Sequence, residues 1–369
     1  MATDSLFTGL PAVLVEELLA AAGRAAKKVF APAVEMIASR DEVRRSLEER
    51  SLIRRDESMG FTPPDVCGVA GSFSTIVLPG GRAALAAAFG VEGLLSPNGE
   101  PRWDGPRYSS VCMTYNNAVE SSLVLEAVAA ALTAEIVGNA PHTVVLLGSP
   151  LAAPFLAIVD ALRPALKLKD TAVSREFVLR LKPAIAACAS IADPASTPRL
   201  AAGMPPHSGS ADFSAAAGIE SALDDETLCT LLLEPGEYTA PVPADSSALE
   251  RARKLPVQDD AFTSVASSIL GWLERLRVVY VRPREWTPAM RVELPSFIAE
   301  RGDVLALFVR SVIYQCASPG LRRPYPLARA EELCGRLAAA GPSIASCAVS
   351  NLSSARGVGT DVLSIFFTP

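Results

Sequence analysis

The chain has 369 residues, a net charge of −6 and 50% hydrophobic residues. This length allows one large domain or two small ones, with a sizeable buried core. No apolar run approaches the roughly 20 residues that a membrane span needs, because Arg, Glu, Pro or Gly interrupts each one. The acidic balance opposes a protein that coats nucleic acid through bulk charge, although a local basic groove remains compatible with it. Without a signal-peptide pattern at its start, the sequence predicts a cytoplasmic protein.

The cysteines and histidines exclude two common kinds of site. Seven cysteines are scattered singly, with no C-x-x-C pair, and they indicate small buried side chains in a reducing compartment. The two histidines, His142 and His207, are predicted at the start of a strand and in a polar loop. Two isolated histidines therefore argue against both a His-rich metal centre and a Ser-His-Asp triad.

Residues 1–60 are predicted to form a helical arm ahead of the main fold. Apolar residues recur at helical spacing from Leu10 to Phe30, with lysines and arginines mainly on the other side. The segment Asp41 to Arg55 alternates in charge, which favours a solvated helix face over a DNA contact. Pro63 and Pro64 then end the arm, so we place the main domain at 61–369.

The main domain is predicted to be a mixed α/β sheet flanked by helices. Two apolar segments and a Gly-Gly turn indicate a β-meander, a long apolar helix follows, and a short apolar run then indicates a buried central strand. A stretch at about 190–218, rich in Pro, Ser, Ala and Gly, is predicted to be a loop insertion. These elements lie at 66–72, 74–78, 82–91, 116–137 and 143–147, and the later part continues with helices at 219–233, 261–270, 304–315 and 328–340 and strands at 278–282, 289–294 and 362–367.

Two strands end in the same kind of small residues, and these ends carry the functional argument. They read Ala70-Gly71-Ser72 and Leu147-Gly148-Ser149, and a helix bearing Glu120 lies between them. In an RNase H-like fold, the first and fourth strands run side by side. Carboxylates at their ends and on the packed helix then hold two divalent ions, which stabilise the attacking and leaving oxygens of phosphodiester hydrolysis.

The later motifs extend this pattern into a resemblance to a known family. In order along the chain they are Asp224-Asp225, Leu233-Glu234-Pro235-Gly236-Glu237, Arg291-Val292-Glu293-Leu294-Pro295 and Tyr325-Pro326-Leu327 leading to Glu331. Together with the two strand ends and Glu120, this ordered set resembles the NurA family over roughly residues 60 to 345. The resemblance implies an RNase H-like fold and a Mn²⁺- or Mg²⁺-dependent nuclease that acts on DNA ends. It also implies a homodimer and a HerA-type hexameric ATPase as partner.

The resemblance suggests roles for individual residues. Glu120 and Glu331 take the catalytic positions, Asp225 is a further candidate metal ligand beside Glu120, and Asp224 is an alternative to it. Ser72, Ser149 and Arg291 are candidate DNA-binding residues, although Arg291 and Glu293 equally suit an internal ion pair. Each acidic residue also has an ordinary structural explanation, such as an exposed helix face for Glu120 or a first-turn position at the helix dipole for Glu331.

The sequence departs from the family where the family has metal-binding aspartates. Ala70 and Leu147 take those two positions, and neither side chain offers a lone pair to a hard cation. Asp65 is five residues before Ala70, so strand alternation points it to the opposite face. Glu126 is six residues after Glu120, which turns it about 120° away from the same helix face.

Three hypotheses follow from this departure. The first is a catalytically degenerate NurA-like protein that retains the fold, the dimer and the ATPase docking surface, with the amphipathic arm as a candidate docking or dimer element. The second is an active Mn²⁺-dependent 5′-3′ exonuclease or endonuclease with a rearranged site built from Glu120, Glu331 and Asp224 or Asp225. The third is an assembly scaffold that binds no nucleic acid.

Overall fold

A long sheet covered by helices on both faces forms the body of the protein, as seen in a computed structural model. The structure describes residues 10–55, 62–78, 81–115, 119–168, 171–192, 199–245, 249, 253 and 260–355. The described helices are α1 (Ala12–Glu49), α2 (Val119–Asn139), α3 (Ala153–Lys167), α4 (Ala172–Ala192), α5 (Asp212–Ala217), α6 (Asp225–Leu232), α7 (Asp260–Leu273), α8 (Ser296–Ala299), α9 (Gly302–Gln315) and α10 (Tyr325–Ala355). The described strands are β1 (Ile53–Arg55), β2 (Val66–Leu78), β3 (Gly81–Glu92), β4 (Arg107–Tyr115), β5 (Val144–Leu147), β6 (Leu200–Gly203), β7 (Glu237–Thr239), β8 (Val242–Pro243), β9 (Arg277–Arg282) and β10 (Met290–Leu294).

The sheet is mixed, and its order is β1-β7-β9-β10-β6-β5-β2-β3-β4, with β8 paired to β9. Strands β2, β3 and β4 form an antiparallel meander, and β5 and β6 then lie parallel to β2. The first strand of the meander, β2, and the fourth strand counted from it, β5, are therefore neighbours. This arrangement confirms the predicted mixed α/β sheet and the predicted RNase H-like pairing.

Strand alternation divides the core between the two faces of the sheet. Val145 and Leu147 of β5 pack in the cluster built with α2, α3 and α4, whereas Val144 and Leu146 pack with α9 and the start of α10. All four side chains are fully buried, as expected for a short apolar strand at the centre of a sheet. Helix α2 is apolar and long enough to cross a membrane, but 67% of its apolar window is buried inside the domain.

Within the described part of the arm, α1 is one continuous helix whose second half is attached to the body. Arg40 Nε donates to Leu231 O at 2.7 Å, and both terminal nitrogens of Arg44 donate to the Glu237 carboxylate at 2.8 Å. Arg40, just before the charged segment, and Arg44, within it, thus hold the helix to α6 and β7, so this face is not wholly solvated as the sequence predicts. The boundary at residue 60 stays a prediction, although the sheet already begins at Ile53, where β1 pairs with β7.

Residues 190–218 differ from the predicted loop insertion. Leu200–Gly203 forms β6, a buried strand between β5 and β10, and Asp212–Ala217 forms α5. The sequence Leu-Ala-Ala-Gly lacks the β-branched and aromatic residues that usually mark a strand, so only its pairing with β5 reveals it. The expected break between Ser72 and Ser74 is also absent, because β2 is a single strand. The strand expected at 362–367 lies outside the described residues.

Candidate functional site

A cleft of about 530 Å³ lies where β5 ends beside the longer strand β2. Helices α2 and α3 border it on one side and α10 on the other. Its lining includes Ala70, Ser72, Gly148 and Ser149 from the strand ends, together with Glu126 and Glu331 from the helices. The structure therefore brings together the two strand ends that the sequence singles out, and adds a carboxylate from each flanking helix layer.

The register of the two strands shows which positions face each other across this cleft. Val69 pairs with Leu147 in the parallel ladder, so Ala70 stands opposite Gly148. A Cβ built on Gly148 would lie 3.4 Å from Ala70 Cβ and 3.0 Å from Glu331 Oε1. Leu147, in contrast, points to the other face and is fully buried in the α2–α3 core. Gly148, and not Leu147, therefore faces Ala70 across the cleft.

The acidic side chain of α2 at the cleft is that of Glu126. Gly71 of β2 packs against the helix so closely that an added Cβ would lie 3.2 Å from Ala129 O and would clash with the Thr133 hydroxyl. Glu126, Ala129, Ala130 and Thr133 follow helical spacing and all line the cleft.

Glu120 lies in the first turn of α2, about 9 Å along the axis from Glu126. Its side chain is outside the part of the chain that the structure describes. Among the described residues of α2, the carboxylate that the structure brings to the cleft is therefore that of Glu126.

Glu331 enters the cleft already paired with a cation. Arg323 Nη1 lies 3.0 Å from Glu331 Oε1, and Arg323 also donates to Met204 O. Burial raises the pKa of the Glu331 carboxyl, while the attraction of Arg323 opposes that rise. Next to this pair, Ser72 shares a hydrogen bond with the Cys334 thiol, whose pKa is raised to about 11 by burial.

The fold places this chain among solved structures. No protein-family model and no curated protein matches it. A crystal structure of NurA matches with a TM-score of 0.50 and 12% identity, covering 88% of this chain and 99% of that one. The chain has the NurA fold.

Two further NurA structures match less well. The NurA nuclease from Sulfolobus solfataricus matches at TM-score 0.48 and 14% identity, covering 84% of this chain and 91% of that one. NurA bound to dAMP and manganese matches at TM-score 0.46 and 11% identity, covering 82% and 92%. At such identities the likeness establishes the fold alone.

Asp225, the candidate metal ligand, lies in a buried network of this NurA-like chain. Its two carboxylate oxygens accept hydrogen bonds from Phe213 N at 2.6 Å, from Ser214 N at 3.0 Å and from the Tyr280 hydroxyl at 3.2 Å. It is fully buried and does not line the cleft. Asp224 caps α6 by accepting from Thr227 N at 2.9 Å. Both aspartates thus already have protein donors.

Arg291 belongs to the same network, which decides between its two predicted roles in favour of the internal ion pair. Its guanidinium pairs with Asp212, donates to Glu293 Oε1 at 3.1 Å and to Ser210 Oγ at 2.5 Å, and is 5% exposed. Glu293 Oε2 in turn accepts from Leu151 N at 2.8 Å. The network therefore positions the loop that follows Ser149 instead of presenting a free cation to DNA.

Proposed function

We propose that this chain is a cytoplasmic NurA-like protein that acts in DNA end processing or repair with a HerA-type hexameric ATPase and has lost the family's metal-dependent cleavage. One observation carries the proposal. The cleft is fully built at the two strand ends, with a carboxylate on each side, but Ala70 and Leu147, which take the positions of the family's metal-binding aspartates, supply no oxygen ligand. The family resemblance of the ordered motifs supplies DNA and the ATPase as expected partners.

The residues of the cleft do not fit the pair of divalent ions that the NurA family uses. Hard cations need several oxygen ligands, and two ions need them on both sides. Ala70 and Gly148 have no such oxygen, and one oxygen of Glu331 is held by Arg323. Within the described ranges, no group of three or more His, Cys, Asp or Glu side chains is placed to hold a metal. No hydrolytic step through metal ions follows from these residues.

The cleft keeps features that would allow the protein to bind a DNA strand without cleaving it. Ser72 and Ser149 are partly exposed at its floor, and their hydroxyls can donate to phosphate oxygens. Small residues at 70, 71 and 148 let a backbone approach closely. Contacts of this kind position the DNA backbone and give little preference for its base sequence, as expected for a protein that handles DNA ends.

The first half of α1 supports a protein partner. Its large apolar side chains are exposed, among them Leu18 (54%), Leu19 (58%), Val29 (71%) and Phe30 (64%). An exposed apolar helix face of this length marks an interaction surface in a soluble protein. A second copy of the chain and the ATPase are the two partners that the family resemblance suggests for it.

A nuclease assay tests the loss of cleavage. Purified full-length chain is incubated with single- and double-stranded DNA and Mn²⁺, and we expect no degradation. Glu120→Ala, Glu126→Ala and Glu331→Ala are prepared in parallel. Degradation that disappears in any of these variants would contradict the proposal and would assign an active site to that carboxylate.

A binding assay tests the DNA and ATPase parts of the proposal. Gel shifts at low and moderate salt should reveal binding with a steep salt dependence, alone or with a HerA-type ATPase, because phosphate contacts release counterions. Leu18→Arg/Leu19→Arg should abolish association with the ATPase or with a second copy and leave the helix content of the body unchanged. Absence of DNA binding under all conditions, with and without the ATPase, would favour the assembly scaffold.

A further inference from the structure

Arg323 pairs with Glu331, one of the two carboxylates that line the cleft. It lies in the loop before α10, next to Pro324, and its Nη1 is 3.0 Å from Glu331 Oε1. The charge of Glu226 in α6 also favours the protonated form of this guanidinium, whose pKa burial lowers. Arg323 and Glu226 both line a second cavity, which adjoins the first at Pro206.

The oxygen that Arg323 holds is the one that faces the strand ends. Glu331 Oε1 lies 3.0 Å from the guanidinium, and it also lies 3.0 Å from the place that a Cβ on Gly148 would take. A divalent ion shared by position 148 and Glu331 would need this oxygen. It would then stand close to a positive charge that an arginine does not lose at any ordinary pH.

Arg323 is not free to move away from such an ion. Its side chain is 17% exposed, and a second nitrogen donates to Met204 O, at the end of β6. The following proline fixes the backbone torsion of the loop that carries it. A competing cation would therefore have to displace a buried, hydrogen-bonded guanidinium.

We propose that Arg323 is a built-in replacement for the metal charge in this cleft, so that the cleft takes no divalent cation and is held together by the protein alone. The inference deepens the proposed function and rests on it for the assignment of the cleft. It adds that the loss of the strand-end aspartates is accompanied by a cation that would oppose metal binding even if carboxylates were introduced at the facing positions 70 and 148. Arg323 is a positioning residue that acts through Glu331.

The wild-type protein gives the first measurement. Thermal unfolding is followed with about 1 mM Mn²⁺ and with EDTA, and the free Mn²⁺ signal in electron paramagnetic resonance is titrated with protein. We expect the same Tm in both solutions and no saturable binding, because a ligand that binds the folded state would raise Tm. A Tm rise with Mn²⁺ that is lost in Glu331→Gln would overturn the proposal.

Two rebuilt variants give the second measurement. Ala70→Asp/Gly148→Asp introduces two facing carboxylates with Arg323 present, and Ala70→Asp/Gly148→Asp/Arg323→Gln introduces them with the cation removed. We expect Mn²⁺ to raise Tm by several degrees in the triple variant and by at most a third of that in the double variant. Equal responses in the two variants would show that Arg323 does not oppose metal binding, and would overturn the proposal.

The wild-type titration can still overturn the proposal if a rebuilt variant fails to fold, because saturable Mn²⁺ binding that is lost in Glu331→Gln would show that Arg323 does not exclude the ion. Its outcome is also separate from that of the proposed function. Wild-type protein that binds no Mn²⁺ but also binds no DNA would contradict the proposed function and leave the role of Arg323 intact. Protein that binds DNA without cleaving it, but takes up Mn²⁺ at Glu331, would contradict only the role of Arg323.

Discussion

The cleft at the strand ends and the buried network at β9 and β10 differ in a way that the sequence does not reveal. The network concentrates charge, since Asp225, Arg291 and Glu293 are all at most 6% exposed and each has protein partners. The cleft lies where the two strand ends meet, but Ala70 and Gly148, which face each other there, carry no charge. A buried carboxylate whose oxygens already accept protein hydrogen bonds stabilises the fold and has little capacity left for a metal. The cleft and the concentration of buried charged side chains therefore lie in different parts of this protein.

The largest expected effect tests the register that separates the two faces of β5. Leu147→Asp would place a carboxylate in the α2–α3 core and should lower the free energy of unfolding by about 4 kcal/mol or more. Gly148→Asp should cost only about 1–2 kcal/mol, because the atoms nearest to its Cβ are side-chain atoms of Glu331, Ala70 and Leu327 and not backbone atoms. Urea unfolding followed by circular dichroism measures both. The reverse order of stability would show that the strand faces are wrongly assigned.

A smaller decrease in the free energy of unfolding is expected when the central carboxylate of the network is removed. Asp225→Ala leaves two buried backbone N–H groups and the Tyr280 hydroxyl without their acceptor, which should cost about 3 kcal/mol. Asp224→Ala is the matched control on the neighbouring residue, and loss of its helix cap should cost about 1 kcal/mol. Urea unfolding of both variants gives the comparison. Equal losses would mean that Asp225 is not the anchor of the network.

The sequence predicts the mixed sheet, the long α2 and the meeting of two strand ends, because apolar period, glycine turns and motif order specify them. Three details depend on tertiary packing. The register of β2 on β5 shifts the facing position from Leu147 to Gly148, and β6 has no side-chain signature of a strand. Helix α2 is buried on nearly all sides, so its apolar pattern does not indicate that Glu126 faces the cleft.

The meaning of the acidic residues also depends on neighbours that are distant in sequence. Asp225 obtains its donors from α5 and β9, and Glu331 is paired by a loop arginine eight residues earlier. A sequence motif shows which residue types are present, whereas only the fold shows which of them still have free lone pairs. The candidate site was therefore predicted in outline, and its electrostatics were not.

The ion pair that attaches α1 to the body should make a pH-dependent contribution of intermediate size to the free energy of unfolding. Burial acts to raise the pKa of Glu237, but hydrogen bonds from Arg44 and Glu234 N and the attraction of Arg44 and Arg55 hold it below its ordinary value. A depressed carboxyl pKa adds stability above the unfolded-state pKa, and this stability is lost as pH falls through the folded-state value.

Glu237→Gln should therefore cost about 2 kcal/mol at neutral pH, and less as the solution is acidified. Urea unfolding of both proteins between neutral and acidic pH measures the difference. The exposed pair Arg253–Glu274 provides the control, since Glu274→Gln should cost well under 1 kcal/mol at every pH. A cost for Glu237→Gln that does not change with pH would show that the ionised carboxylate is not what holds the helix.

The smallest effect concerns the rates at which cysteines react in the folded protein. Cys112 and Cys347 are exposed, whereas Cys334 at the cleft and Cys229 on α6 are buried. With a pKa of about 11, Cys334 is a thiolate in only about one molecule in 1,000 at pH 8. It is nevertheless 6% exposed and borders the cleft, while Cys229 is fully buried. Pulsed alkylation read by mass spectrometry should therefore modify Cys112 and Cys347 first, Cys334 later, and Cys229 only at the rate of global unfolding. If Cys334 and Cys229 react at one common rate, the cleft is no more accessible to the reagent than the buried network. That result would contradict the proposed difference between the two regions.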